Sequence, residues 1–397
     1  MLILQVPGRS WLSSTVETEN RSFGWELSRT SATSRARTGV LHTTHGDVPT
    51  PTFMPVGTAG VVKTLAPWEV RATGARMLLA NTYHLHLRPG EAVIREAGGL
   101  QRWTAWEGPM LTDSGGYQVM SLAQLRRIDD DGVTFRSHID GSESRLTPES
   151  VLDIQAELGS DIAMVLDDLT GYPTAPERLL LAADRTARWA ERAWRHHLAN
   201  PYPPAQAVFG IIQGGTDVRL RRQNALQIAS IGFDGYAIGG LSVGEPKDQT
   251  YDALEATIAA LPQSRPRYLM GVGTPEDVVA GILRGVDMFD CAEPTRIARH
   301  GIAWCEEGRL NLRNARFRRE HGPLDPRCEC STCQHFDRSY LSHLVRSGEV
   351  LGARALSVHN LTFLQNIVTR LRVTIEISGN MGEFVQGGAG KSPVSEP

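Results

Sequence analysis

A chain of 397 residues is long enough for one domain of about 250–300 residues and an appendage. With 41% hydrophobic and 21% charged residues it has the composition of a soluble globular protein, and no apolar run approaches the length of a membrane span. A net charge of −3 excludes a protein that is polycationic throughout for nucleic-acid binding.

The two ends of the chain lack the features of folded elements. Residues 1–22 have no hydrophobic periodicity, and their four-residue apolar start is too short for the core of a signal peptide. Residues 378–397 are rich in Gly, Pro and Ser. We expect both segments to be disordered and the protein to be cytoplasmic, where thiols stay reduced.

Eight short apolar or β-rich runs follow one another between these ends, and helix-like stretches lie between several of them. The best helix prediction is 175–198, whose apolar residues recur at 3.6-residue spacing. The pattern predicts a (β/α)8 barrel over residues 23–291. A doubly wound open sheet is the alternative, but the count of eight and the lack of a G-x-G-x-x-G after the first run favour the barrel. The runs are 52–58, 75–83, 109–116, 161–168, 207–215, 235–241, 267–273 and 286–291, and the other helices are near 148–159, 217–231, 249–261 and 275–285.

About fifty residues separate the third run from the fourth, which is more than one helix needs. The segment 132–147 has the alternation and glycines of a β-hairpin, so we expect a hairpin to be inserted in the barrel there.

Polar residues stand at the predicted carboxyl ends of the strands, where barrel enzymes place their chemistry. Two carboxylates facing one cleft can break a glycosidic bond by double displacement, and a separation near ~5 Å would favour the covalent, retaining route. Asp113 and Asp290 are candidates for such a pair, although an Asp at a strand end is as often the N-cap of the next helix. The polar set is Asn81, Asp113, Asp167, Gln213, Gly240 and Asp290.

Three of the five cysteines lie within six positions, in the spacing C-x-C-x-x-C at Cys328, Cys330 and Cys333. One tight loop can bring three such thiolates to about 2.3 Å from a zinc ion. The fourth ligand would be His343 or His359, and a closed Cys3His site would be structural. Three unligated thiols are the alternative, which the spacing disfavours.

Residues 292–377, which contain these cysteines, follow the eighth run. We expect them to form a zinc-binding, tRNA-contacting subdomain that packs on the barrel. Between residues 294 and 320 it carries seven arginines and three glutamates, a local excess of positive charge on an acidic protein. This stripe suits contact with phosphates, although a solvated helix face would have the same composition.

Several long strings, taken together with the cysteine cluster, resemble the tRNA-guanine transglycosylase family, bacterial type. The resemblance runs from about Phe23 to about Ile377, and its strings are collinear and specific. They are FMPVGTAG (53–60), NTYHLHLRPG (81–90), LTDSGGYQVMSL (111–122), IIQGG (211–215), IGGLSVGEP (238–246), YLMGVGTPEDVV (268–279) and DMFDCAEPTRIARHG (287–301).

The resemblance implies an enzyme of queuosine biosynthesis. Such an enzyme exchanges the wobble guanine of GUN-anticodon tRNAs for a deazaguanine through a covalent enzyme–tRNA intermediate. Asp290 matches the nucleophile of the family, which attacks the ribose anomeric carbon. Asp113 matches the general acid/base that protonates the departing guanine.

Other family positions carry over residue by residue. Arg296 and Arg299 match residues that hold the anticodon loop of tRNA. The resemblance also implies one structural Zn²⁺ per subunit, with His359 as the fourth ligand, and a homodimer formed through the zinc region. The matching base-binding positions are Asp167, Gln213, Gly240, Leu241, Glu245, Tyr117 and Met270, and the zinc ligands are Cys328, Cys330, Cys333 and His359.

Two features bear on the subtype. Val243 resembles the bacterial type, since eukaryotic queuine-specific members have glycine there, and this implies 7-aminomethyl-7-deazaguanine as the incoming base. Asp168 and Leu169 stand where bacterial members commonly have Glu-Cys, and the chain lacks the aromatic, basic final helix usual in the family.

Two other classes of function compete with this interpretation. An inactive barrel subunit that only binds would have lost its catalytic residues, whereas both Asp113 and Asp290 are present. A zinc-dependent hydrolase would need an open metal site with His and Asp ligands at strand ends, whereas the predicted site is closed and rich in thiolates.

Overall fold

The structure is a computed structural model that describes residues 23–122, 126–201 and 206–382. The predicted disorder of residues 1–22 lies outside the described residues, as does that of most of the C-terminal tail. The first part of that tail, residues 378–382, packs back on the N-terminal region. The backbone N–H of Ala32 donates to the carbonyl oxygen of Gly379 at 3.0 Å, and Met381 is buried.

Eight parallel strands close into a barrel within the described part of the chain, which confirms the predicted (β/α)8 fold and excludes the open sheet. Every predicted run contains one of these strands. Around the barrel the order is β10-β11-β12-β13-β14-β4-β5-β6, and β6 pairs with β10 to close it. In chain order the barrel strands are β4 (Thr52–Gly57), β5 (Leu78–Asn81), β6 (Met110–Asp113), β10 (Ile162–Met164), β11 (Ala207–Ile212), β12 (Gly235–Ile238), β13 (Arg267–Leu269) and β14 (Met288–Cys291).

The barrel strands form because their side chains are apolar on both faces, as parallel strands between a filled interior and a layer of helices require. All six residues of β11 are buried, for example. Helices cover the outside of the barrel. They are α1 (Pro67–Ala72), α2 (Thr82–Leu87), α3 (Glu91–Glu96), α4 (Leu100–Thr104), α5 (Gly116–Leu122), α6 (Pro148–Leu158), α7 (Pro176–Ala199), α8 (Val218–Ile231), α9 (Lys247–Ala260) and α10 (Pro275–Leu283).

The helix ends follow capping signals in the sequence. At the start of α10 the Thr274 hydroxyl accepts from the backbone N–H of Asp277 at 3.3 Å, with Pro275 in the first turn. The long helix α7 buries an Ala-rich face with Trp189 at its centre, as its periodicity predicts.

Two antiparallel sheets lie outside the barrel. One, formed by β1 (Gly24–Thr30), β2 (Arg37–Thr43) and β3 (Gly46–Thr50), is tied to the N-terminal end of β14 by a buried ion pair between Arg37 and Asp287 at 2.6 Å. The other confirms the predicted insertion between the third and fourth barrel strands. Its strands are β7 (Arg126–Ile128), β8 (Val133–Arg136) and β9 (Glu143–Leu146).

The C-terminal region adds α11 (Glu293–Arg299) directly after β14, and then the hairpin β15 (Ile302–Cys305) and β16 (Gly308–Asn311). A 3-10 helix (Ala315–Arg319), α12 (Ser331–His335), α13 (Arg338–Ser347) and the long α14 (Val350–Ile377) follow.

The helix α14 returns to the barrel, where it packs against β4, α1 and α10. The Gln365 amide donates to the carbonyl oxygen of Phe53 in β4 at 2.9 Å, and the Arg372 guanidinium donates to that of Pro51 at 2.6 Å. This helix therefore fills the position of the eighth barrel helix. Within residues 23–122, 126–201 and 206–382, no helix combines the length and apolar character needed to cross a bilayer.

Candidate active site and metal centre

The first of the two predicted carboxylates, Asp113, is the last residue of β6. Its Oδ1 accepts hydrogen bonds from the backbone N–H groups of Thr82 at 3.0 Å and Gly115 at 3.2 Å. The Asn81 amide at the end of the neighbouring strand donates to Oδ2. Burial nevertheless raises the pKa of Asp113 to about 7. The group is therefore near half-protonation at neutral pH, which suits a proton donor and acceptor.

The second carboxylate, Asp290, lies in β14 and is 8% exposed. The hydroxyl of the buried Tyr268 donates to Asp290 Oδ1 at 2.6 Å, and the backbone N–H of Gly271 donates to the same oxygen at 2.7 Å. Burial raises the pKa of Asp290, while these two donors oppose the rise by stabilising the ionised form. Both of these bonds go to Oδ1, and neither engages Oδ2.

The two carboxylates lie in one electrostatic environment. The charge of Asp290 contributes, after burial, to the raised pKa of Asp113. Burial holds the pKa of Tyr268 well above its ordinary value, and the charges of Asp290 and Asp113 add to this. In the barrel β6 and β14 are separated by β4 and β5, so the two carboxylates belong to different strands of one mouth. Two carboxyl groups with different hydrogen-bond partners at one mouth can divide acid–base and nucleophilic roles.

A second polar group lies beside them, on the loops after β10 and β11. Asp167 accepts hydrogen bonds from the Ser114 hydroxyl at 3.2 Å and from Gln213 Nε2 at 2.7 Å. Burial raises the pKa of Asp167 to about 6. Gln213 Oε1 is buried without a hydrogen-bond partner among the described residues, so an acceptor remains free beside a carboxylate. Such a pair suits the donors and acceptors on the edge of a purine.

The loop after β12 forms the adjoining wall. Gly240 has a φ of +67°, and a Cβ there would collide with Gln213 Oε1, so glycine is required on both counts. Leu241 is buried. Glu245 folds back on the loop, where it accepts from the backbone N–H groups of Ser242 and Val243. Burial would raise the pKa of Glu245, but these donors outweigh burial and lower it.

The residues predicted to stack on the base lie at this mouth. Tyr117, in the first turn of α5, is 55% exposed. It follows Gly116, at which a Cβ would come within 2.9 Å of Asp167 Oδ1. Met270 follows β13 and is half-buried, with its sulfur 3.6 Å from the position of a Cβ on Gly239.

The two predicted anticodon arginines lie on α11, which begins two residues after β14. Arg296 is exposed, at 3.7 Å from Glu293, and Arg299 donates to the carbonyl oxygen of Thr295 at 3.0 Å. A short helix thus places two cations next to the strand that carries Asp290.

A cluster of metal-ligand type lies in the C-terminal region, made of Cys328, Cys330, Cys333 and His359. The four ligand atoms lie within 4.8 Å of one another. His359 Nδ1 is 3.6 Å from Cys330 Sγ and 3.3 Å from Cys333 Sγ, close to the ligand–ligand distances of about 3.5 Å that a tetrahedral zinc ion requires.

The hydrogen bond of His359 Nε2 leaves Nδ1 free to bind a metal. His359 Nε2 lies 2.6 Å from the carbonyl oxygen of Trp304, to which it donates, so the tautomer leaves a lone pair on Nδ1 facing the sulfurs. The chemistry of these donors fits Zn²⁺. Of the two histidines that the cysteine spacing left open, His359 is the one in the cluster among the described residues, as the family resemblance implies.

Two residues of the site, Tyr268 and Arg221, were not identified from the sequence. Tyr268 begins the string 268–279 that carries the family resemblance but was given no role, and Arg221 lies inside a helix and matches no motif. The signal that could have found Tyr268 is its spacing, because it stands two residues before Met270 on a strand whose alternate residues face the interior. A buried arginine such as Arg221 leaves no comparable pattern.

Asp168, one of the two residues that differ from the usual bacterial Glu-Cys pair, forms ion pairs in the structure. Its buried carboxylate accepts from the Arg178 guanidinium at 2.9 Å and from Arg185 Nη1 at 2.7 Å. Arg185 also contacts Asp130, on the turn between β7 and β8, at 3.3 Å. Asp168 therefore ties the loop after β10 to α7 and, through Arg185, to the inserted sheet.

Comparison with known proteins agrees with this geometry. A family model described as queuine tRNA-ribosyltransferase matches residues 31–392. Proteins named queuine tRNA-ribosyltransferase from Pelotomaculum thermopropionicum and Desulforudis audaxviator are 51% and 54% identical, each over 88% of this chain and over 93% and 94% of their own lengths. One from Lysinibacillus sphaericus is 48% identical over 91% of this chain and 93% of its own. The chain belongs to the queuine tRNA-ribosyltransferase family of enzymes.

Proposed function

We propose that this enzyme exchanges the wobble guanine of GUN-anticodon tRNAs (those for Asp, Asn, His and Tyr) for 7-aminomethyl-7-deazaguanine, with a covalent enzyme–tRNA intermediate. The observation that carries the proposal is the pair Asp113 and Asp290, buried at the carboxyl ends of two barrel strands and held by different sets of donors. Family membership supplies the class of reaction.

In the first half-reaction, Asp290 Oδ2 attacks C1′ of the ribose and the bond from C1′ to the base breaks. Oδ1 is the oxygen held by Tyr268 and Gly271, so these donors orient the carboxylate and leave Oδ2 for the attack. The bonding electron pair departs with guanine, which takes a proton from Asp113. The leaving base is thereby neutral.

In the second half-reaction the incoming deazaguanine gives the corresponding proton to Asp113 and its ring nitrogen attacks C1′. The ester bond to Asp290 breaks, and both carboxyl groups return to their starting states. Two displacements at C1′ leave the configuration of the ribose unchanged. A carboxyl group with a pKa of about 7 can serve in both directions at neutral pH.

The base is recognised by a polar wall, which is made of Asp167, Gln213 and the loop 240–245. We assign Asp167 and Gln213 to the edge of the base, and Gly240 and Leu241 to backbone contacts beside it. Tyr117 and Met270 stack on its two faces. Glu245, in the loop after β12, senses the aminomethyl group of the incoming base. Val243 limits how large the group attached to that base can be.

Arg296 and Arg299 hold the anticodon loop, because they stand beside the nucleophile at the edge of a basic stripe. Zinc, when bound by Cys328, Cys330, Cys333 and His359, supplies a closed structural link with no open position for substrate. As in the resembled family, we propose a homodimer formed through the zinc region, with the reaction in the cytoplasm. Exposed Tyr340 and Val350 offer apolar surface in that region.

The test is to incubate the protein with unmodified tRNA and radiolabelled guanine. Incorporation of label into tRNA supports the proposal, and competition by 7-aminomethyl-7-deazaguanine but not by queuine supports the assigned substrate. Binding without incorporation would instead indicate an inactive binding subunit. Zinc-dependent hydrolysis of an added nucleobase would indicate the hydrolase.

A further inference from the structure

Behind the polar wall lies an arginine whose role the reaction scheme leaves open. Arg221, on α8, is fully buried. Its Nε donates to the carbonyl oxygen of Gly215 at 2.7 Å and its Nη1 to that of Ile212 at 3.1 Å. These two carbonyls flank the turn that carries Gln213. The Arg221 guanidinium therefore bonds to both ends of the turn after β11 that carries Gln213.

The third arm of this guanidinium reaches toward the next loop. Nη2 is buried without a hydrogen-bond partner among the described residues, and so is Gln213 Oε1. Both atoms face Gly240, since a Cβ there would lie 3.5 Å from Arg221 Nη2 and would collide with Gln213 Oε1. An unsatisfied donor and an unsatisfied acceptor, which do not bond to each other, therefore both border Gly240.

The charge of Arg221 is costly for the fold. Burial lowers the pKa of Arg221 to about 9, and the charge of Glu245 opposes this. An apolar side chain of similar length would fill the same space without the loss of hydration. A buried, partly unpaired guanidinium between two ligand-binding loops therefore indicates a requirement from the site.

The arginine also fixes which way the Gln213 amide points. With Nε2 donating to Asp167 and Oε1 on the side of Arg221, donors face acceptors at both ends. The reversed amide would set N–H groups against the guanidinium and an oxygen against the carboxylate of Asp167. The bond to Asp167 and the nearby charge of Arg221 therefore favour the same direction of the Gln213 amide.

We propose that Arg221 is a positioning residue for base recognition, which holds the Gln213 turn and the Gly240–Glu245 loop as one wall and fixes the polarity of the Gln213 amide. The inference rests on the proposed function, because it takes a purine-type base as the ligand of that wall. It assigns no contact between Arg221 and the reacting atoms.

The experiment compares Arg221→Met and Arg221→Lys with Arg222→Met, which removes an exposed arginine from the next position of the same helix. Guanine binding is measured by equilibrium dialysis, and the KM for guanine, the KM for tRNA and kcat by exchange. We expect Arg221→Met to weaken guanine binding about 10–100-fold, as for a lost charged hydrogen-bond network, with the KM for tRNA changed less than about 3-fold. Arg221→Lys should recover part of the loss, and Arg222→Met should match the wild type.

The inference is overturned if guanine binding by Arg221→Met equals that of Arg222→Met, or if tRNA and guanine are affected alike. If Arg221→Met does not fold, Arg221→Lys decides alone, and guanine binding within about 2-fold of the wild type overturns the inference. A wild-type protein that binds guanine but does not exchange it refutes the proposed function and leaves the dialysis test of Arg221 intact. A wild-type protein that does not bind guanine refutes both.

Discussion

The barrel mouth and the metal centre both bury titratable side chains, but they differ in what is left unsatisfied. At the metal centre every ligand atom points to one place, and the remaining nitrogen of His359 is already bonded to Trp304. At the mouth, buried Asp113 and Asp167 have raised pKa values, and Gln213 has an unpaired acceptor. A structural site converges on a single ion, whereas a site for exchange must accept and release groups in turn.

The same contrast exists between two neighbouring residues at the mouth. The buried carboxylate of Asp168 accepts hydrogen bonds from Arg178 and Arg185. Like the ligand atoms of the metal centre, its oxygens are therefore already used within the fold. Asp167, the preceding residue, is held by neutral donors only among the described residues and has a raised pKa. The charge-paired Asp168 links two elements of the fold, whereas the neutrally bonded Asp167 is the residue that the proposed function assigns to the base.

The largest expected effect comes from replacing the attacking group. Asp290→Asn should lower guanine exchange at least about 10⁴-fold, because no ester to the ribose can form. tRNA binding and zinc content should stay at wild-type levels, and the Tm should not fall, since burial disfavours the charge that is removed. Exchange and metal analysis on one preparation check this. Persistent turnover would contradict the role of Asp290.

Breaking the metal centre should act on stability and not on the chemistry of the mouth. Cys330→Ser should lose zinc and lower the Tm by at least about 10 °C, because metal binding and folding of this region are coupled. Cys305→Ser is the matched control, since Cys305 is buried in the same region but outside the cluster. Full zinc occupancy in Cys330→Ser, measured by metal analysis, would be the contrary result.

A substitution at Asp168 tests whether its buried ion pairs stabilise the fold more than an exposed ion pair does. Asp168→Asn should lower the free energy of unfolding by about 3 kcal/mol, because Arg178 and Arg185 would lose their shared buried charge. Asp184→Asn, at an exposed ion pair with Arg188, should change it by less than about 0.5 kcal/mol. Urea unfolding measures both. Equal effects would mean that Asp168 is no more than a surface-type ion pair.

The smallest predicted effect is a pH dependence. In the proposed reaction, formation of the covalent intermediate requires the protonated form of Asp113, whose pKa is raised to about 7 by burial and by Asp290. The proton is present below that pH and lost above it, so the single-turnover rate should fall about 10-fold per unit as pH rises beyond about 7. Gel-based trapping of the enzyme–tRNA complex across pH measures this. A rate that keeps rising to pH 9 would contradict the assignment.

Much of the fold was predictable because buried parallel strands have apolar runs in the sequence. Eight such runs indicate a sheet that closes into a barrel. Asp113 and Asp290 were predictable because they end such runs. Their hydrogen-bond partners were harder to predict, because a strand buried on both faces is apolar throughout, and only the two-residue spacing from Met270 indicates that Tyr268 faces the interior. Asp167 and Asp168 look equivalent in sequence, and only the packing of α7 reveals that the second faces two arginines.

The position of α14 has a consequence for how the molecule is made. The helix that packs against β4 and completes the barrel wall also carries His359, and it is the last long element among the residues up to 382 that the structure describes. On the ribosome, domains fold as their segments emerge, from the N-terminus onward. Here the barrel must wait with an open flank until residues 350–377 have emerged, so capture of the metal and completion of the catalytic barrel become one late event in synthesis.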